Sequence, residues 1–167
     1  TKMTGQGSSS EISAVYFGRH NARHDFRTFQ KHEAPHSNSN LLFKGVVDDE
    51  SRAIYTGLIR IEPAAGDVNA YQTNRTLKLS EKAWAESVPN LEIENNDVKC
   101  SHASAVGPID EDQKFYLESR GVPTDIAEAL VVKGFFADVL EGLPSSMVSE
   151  AIDSRIEKLL ALDIGRL

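Results

Sequence analysis

The only cysteine of the chain, Cys100, stands two residues before a histidine in the segment Asp97-Val98-Lys99-Cys100-Ser101-His102. A strand directs residues i and i+2 to one face, so a thiol and an imidazole would project side by side here. Such a pair suits a soft metal or an iron-sulfur fragment, but two ligands leave the site incomplete. The competing reading makes Cys100 a small buried hydrophobe and His102 a solvated edge residue. The remaining histidines, His20, His24, His32 and His36, fall in two i, i+4 pairs. That spacing makes a ligand pair only on a helix, whereas this region reads as strand and turn, so a solvated or turn-structuring role is expected. The acidic pairs Asp48-Asp49 and Asp110-Glu111 sit where turns and helix starts favour carboxylates. There is no Gly-x-Ser-x-Gly elbow, phosphate loop or dinucleotide fingerprint, and Gly5-Gln6-Gly7 is too short and precedes no helix. Any ATP chemistry must therefore come from a partner.

Two patterns must position these residues. Thr1 to Ser10, rich in Gly, Ser and Thr, reads as a flexible leader on a piece cut from a longer chain. From 11 to 108 short β-branched or aromatic runs dominate, at Glu11 to Phe17, Asp25 to Phe29, Leu41 to Val47, Ala53 to Ile61, Thr76 to Leu79 and Leu91 to Glu94. Turn chemistry separates them at Ala34 to Asn38, Asp48 to Glu50, Pro63 to Asp67 and Glu94 to Asp97. After Gly107-Pro108 the period becomes helical, giving a second region over 109–167. Asp110 and Gln113 form a capping box for a helix that stops at Gly121, and a second helix runs from about Thr124 to Glu141. Its apolar positions include Ile126, Leu130, Phe135 and Val139. A third helix is expected from about Ser145 to Asp163, with Gly165 as terminator.

The bulk properties narrow the partners. The 167 residues carry a net charge of −7 and a pI near 5.2. Lys and Arg gather into no run, which argues against nucleic acid and anionic membranes. One cysteine cannot form an internal disulfide, and no apolar stretch is long enough to span a bilayer, so a cytoplasmic protein is expected.

Periodicity leaves the β region open among a sandwich, a barrel and a β-solenoid, the last necessarily irregular because no exact short repeat is visible. Here Tyr71 to Ser80, Pro89 to His102 and Phe115 to Gly121 closely resemble the SufB/SufD family of iron-sulfur cluster assembly proteins. Ala34-Pro35-His36, Lys44-Gly45-Val46 and Gly57-Leu58-Ile59 also fit, so the likeness covers roughly residues 10 to 160. The Asp-Val-Lys-Cys-Ser-His wording looks like the carboxy-terminal part of the SufD branch. One departure is Ala103, where many relatives carry Gly.

The resemblance implies a right-handed parallel β-helix followed by a helical domain. It further implies a non-enzymatic scaffold that pairs with SufB and docks the SufC ATPase on its helices. His102, and secondarily Cys100, would contribute to a cluster site completed by SufB. No cofactor is expected in this chain alone, only a transient iron-sulfur cluster shared with SufB. Val131, Phe135, Phe136, Val139 and Leu140 make a broad apolar surface, most of it expected to pack internally. The SufC-docking candidates are Phe135, Phe136, Val139 and Leu140. An open coil end also presents unpaired backbone groups, so association with a second copy is expected in isolation. Two alternatives stand beside this: a purely structural solenoid with no metal role, and a cupin-like metal enzyme, for which none of the five histidines supplies the needed His-x-His.

Overall fold

The computed structural model describes residues 1–160. Among them are eight strands followed by three helices. Consecutive strands alternate between two parallel sheets, ordered β1-β3-β5-β7 and β2-β4-β6-β8. The chain therefore winds as a β-solenoid, each coil giving one strand to each sheet. The strands are β1 (Lys2–Met3), β2 (Ser9–Gly18), β3 (Arg23–His32), β4 (Asn38–Val47), β5 (Arg52–Ile61), β6 (Val68–Lys78), β7 (Trp84–Ile93) and β8 (Val98–Pro108).

The register explains why no repeat is visible in the sequence. Ser9 pairs with Asn38 and Arg23 with Arg52, each an offset of 29 residues. The offset grows to 31 between β4 and β6, where Asn38 meets Asn69, and to 32 between β5 and β7, where Arg52 meets Trp84. What repeats is direction. In β5, Ala53, Tyr55, Gly57, Ile59 and Ile61 are buried while the intervening residues are partly exposed, the period-2 pattern of a strand with one face inward. Stacked coils bury these inner positions against one another. One cluster joins Ile59, Ile61, Ala65, Val68 and Ala70, and another joins Leu41, Phe43 and Tyr55.

Corners are stacked as well. His20 and Asp49 occupy equivalent corner positions in successive coils, both with positive φ, and the backbone N–H of His20 donates to Asp49 Oδ2 at 2.7 Å. At the opposite corner His36 and Asp67 repeat the arrangement, with His36 Nδ1 2.7 Å from Asp67 Oδ2. Short polar side chains tolerate the left-handed region and hydrogen-bond locally, which is why these types stand there. Two of the four clustered histidines are thus turn residues, in keeping with the sequence expectation. A neighbouring corner contact joins Asn69 Nδ2, the donor, to Asn38 Oδ1 at 2.9 Å.

Three local expectations are corrected. The first ten residues are not a leader: Lys2–Met3 pairs with Lys31 and His32, and Met3 is fully buried. Strand β6 begins at Val68, well before Thr76, because its inner positions Gln72 and Asn74 are polar and masked the strand signal. His32 is neither solvated nor a turn residue: it lies in β3 and is fully buried.

The chain divides into two compact units, Thr1–Gly107 and Pro108 onward. The second holds α1 (Glu111–Ser119), α2 (Thr124–Glu141) and α3 (Ser146–Leu159). Asp110 caps α1, its carboxylate accepting from the N–H groups of Asp112 and Gln113. Gly121, at φ 86°, turns the chain out of it, and Gly121 N–H and Val122 N–H donate to the carbonyls of Glu118 and Leu117. Lys114 reaches Glu128 at 2.7 Å and Lys133 reaches Asp153 at 3.1 Å, tying α1 to α2 and α2 to α3. The expected end of the third helix at Asp163 and the terminator Gly165 lie outside the described residues. No helix among the described residues is long and apolar enough to cross a membrane.

Candidate functional site at the last coil

Strands β7 and β8 each end their sheet, so the final coil presents two unpaired edges. Backbone donors and acceptors along an edge can accept another strand. On β7 the outer face carries Trp84 and Val88, both large and exposed, interspersed with Glu86 and Glu92. On β8 the inner-facing series begins with Val98 and Cys100, which pack against the Ile59/Ile61/Ala65/Val68/Ala70 cluster. His102 follows two residues later on the same face, and from Ser101 to Val106 the strand is exposed. Cys100 and His102 thus stand two residues apart in one strand, but in different surroundings.

Cys100 is a free, half-buried thiol whose pKa burial pushes up. At neutral pH it stays protonated, so ligating iron would require displacing that proton. This is the environment of a packing residue more than of a nucleophile. His102 is exposed at the strand edge and open to a partner. Among the described residues no cluster of three or more His, Cys, Asp or Glu side chains could hold a metal.

The SufC-docking candidates separate in the same way. Phe136, Val139 and Leu140 are buried members of α2, along with Ala127, Ala129 and Val132. Phe135 is partly exposed, and its ring lies 5.4 Å from that of Phe136. Burial thus follows Phe136, not the Phe135 position picked out by periodicity. On the helices the large exposed apolar residues are Phe115, Tyr116, Met147 and Val148, none of them among the docking candidates chosen from the sequence, and Val148 belongs to the apolar spacing of the third helix.

Residues 1–135 match the family model described as SUF system FeS cluster assembly, SufBD core domain. The chain belongs to the SufBD core family. It is 38% identical over 158 residues to the iron-sulfur cluster assembly protein SufD of Bacillus subtilis, covering 95% of this chain and 36% of that protein. It is 34% identical over 160 residues to SufD of Escherichia coli, covering 96% and 38%. An iron-sulfur cluster assembly SufBD family protein of Mycobacterium leprae is 32% identical over 173 residues, covering 99% and 44%. The chain thus spans roughly two-fifths of the length of these SufBD relatives. The likeness inferred from the Asp-Val-Lys-Cys-Ser-His segment and its flanks agrees with this family, as does the solenoid.

Sequence reasoning missed a polar seam inside the SufBD coil. His32 is fully buried, with Nδ1 2.8 Å from Ser37 Oγ and Nε2 2.8 Å from Ser39 Oγ. Ser37 Oγ donates to Ala34 O, so it must accept from His32 Nδ1–H; Ser39 Oγ accepts from Gln30 Nε2 and is free to donate to Nε2. The ring is therefore neutral and protonated on Nδ1. A polar residue at an inward strand position has no sequence signature apart from the alternation it interrupts.

Proposed function

We propose that this chain is a non-catalytic scaffold in iron-sulfur cluster assembly, one that joins SufB along its last coil and carries the SufC ATPase on its helices. The observation that carries the reading is the exposed His102 on the edge strand of that coil, beside a second unpaired edge. The cluster is cargo: His102 supplies an imidazole ligand at the joint, and SufB supplies the remaining ligands. Cys100, held as a thiol by burial, contributes packing first. The acidic, Lys- and Arg-dispersed composition fits a protein partner in the cytoplasm better than nucleic acid or a membrane surface. With SufB absent, the same edges favour pairing between two copies.

The test is His102→Ala in full-length protein co-purified with SufB and SufC, followed by iron and sulfide analysis. Cluster content is expected to fall several-fold while the heterodimer survives, whereas Cys100→Ala is expected to act mainly through stability. Unchanged iron and sulfide in the His102 variant would remove the imidazole from the site. For the ATPase, Phe135→Glu is expected to abolish SufC capture in a pull-down with the helical circular dichroism signal retained. Full capture by that folded variant would move the docking surface elsewhere, with Phe115 and Met147 the next positions to replace.

A further inference from the structure

Gln72 is an inward-facing residue of β6 with 1% of its surface exposed, and neither its Nε2 nor its Oε1 meets a hydrogen-bond partner among the described residues. An unsatisfied buried carboxamide is costly, and native interiors rarely leave one in that state. The position is built around the group. Gly57 on β5 faces it so closely that a Cβ there would fall 2.3 Å from Gln72 Nε2 and 2.6 Å from Oε1. The missing side chain of Gly57 is thus replaced by the carboxamide of Gln72. Two further acceptors lack partners nearby in the fold. Asn74 Oδ1 stands two residues along the same inner face, its Nδ2 already donating to Ser87 Oγ at 2.9 Å. Gln30 Oε1 belongs to a side chain whose Nε2 lies 3.5 Å from the carbonyl oxygen of Tyr71, the residue before Gln72.

We infer that the carboxamide of Gln72 binds a buried water molecule between the two sheets, with Asn74 Oδ1 and Gln30 Oε1 the acceptors available to its protons. The chemistry selects water. The surrounding inward polar groups, Gln30, Asn74, Ser39 and the neutral His32, carry no charge to balance an ion, and the seat needs a ligand that both donates and accepts. The two polar atoms of Gln72 and the single unpartnered oxygens of Asn74 and Gln30 supply the two to four polar partners a buried water requires. Globular proteins hold one such water per ~27 residues, so a coil of 29 to 32 residues is expected to contain about one.

A crystal structure of the protein at a resolution that shows ordered water tests the assignment. A solvent peak about 2.7–3.2 Å from Gln72 and from at least one of Asn74 and Gln30 is expected. No peak beside Gln72, or a Gln72 side chain turned to bond the backbone directly, overturns it. Oxygen-17 relaxation dispersion in solution gives an independent measure, because Gln72→Met keeps the volume and removes both polar atoms. That variant is expected to lose one long-lived water relative to the parent, and an equal count overturns the inference. Should the variant fail to fold, the parent crystal alone decides.

Discussion

Gly45→Ala is expected to destabilise the solenoid by about 2–3 kcal/mol, the upper part of the range for overpacking a dense core. A Cβ at Gly45 would sit 1.9 Å from Cζ of Tyr16, whose ring lies across the glycine. Tyr16, Gly45 and Thr76 share one rung of the sheet, and the Tyr16 hydroxyl reaches over Gly45 to Thr76 Oγ1 at 2.8 Å. The ring also packs 4.7 Å from that of Phe26. One methyl group therefore displaces an aromatic contact and a cross-coil hydrogen bond together. Tyr16→Phe separates the two terms, since it is expected to lose only the hydrogen bond, about 1 kcal/mol. In the double variant Tyr16→Ala with Gly45→Ala the clash is gone, so the second change should add almost nothing. Chemical denaturation of the parent, Tyr16→Ala, Gly45→Ala and the double variant measures the coupling, and a Gly45→Ala protein within about 0.5 kcal/mol of the parent would contradict this packing.

His32 gives the second large effect and a pH dependence whose sign is fixed. Burial lowers its pKa below the ordinary 6.5, so the unfolded chain takes up the proton more readily than the folded one. The stability the neutral ring contributes is whole above pH 6.5 and is lost as pH falls below 6.5 towards the depressed folded value. Protonation would also oblige Ser39 to give up its donor role towards Nε2. His32→Ala is expected to cost about 3 kcal/mol at pH 7.5, combining a cavity with the loss of bonds to Ser37 and Ser39. His32→Gln is expected to cost less and to flatten the decline in denaturation midpoint between pH 7 and 5. Parallel pH profiles for parent and Gln variant would assign that decline to other groups.

These two positions show which parts of the molecule the sequence discloses. Runs such as Ala53 to Ile61 declare themselves because their inner residues are apolar and their outer ones mixed, and the helix limits at Thr124 and Glu141 follow from Pro123 and Gly142. The first half of β6 does not, because Gln72 and Asn74 face inward and imitate a turn. Solenoid topology was beyond periodicity: a coil that lengthens from 29 to 32 residues keeps its inner direction without keeping its letters. It took the family resemblance to choose it over a sandwich or barrel. At the last coil the two-residue spacing of Cys100 and His102 is plain in the sequence, but the burial that separates their chemistry depends on the Ile59 and Ile61 cluster, a coil earlier in the chain.

The alternation of strands between two sheets has a mechanical consequence. Each coil holds only its neighbours, so a force pulling on the two ends of the solenoid unit loads the rungs one after another rather than in a single shear plane. Extension should proceed as a staircase, every tread releasing a coil of 29 to 32 residues, or about 10 nm of contour at roughly 3.3–3.6 Å per residue.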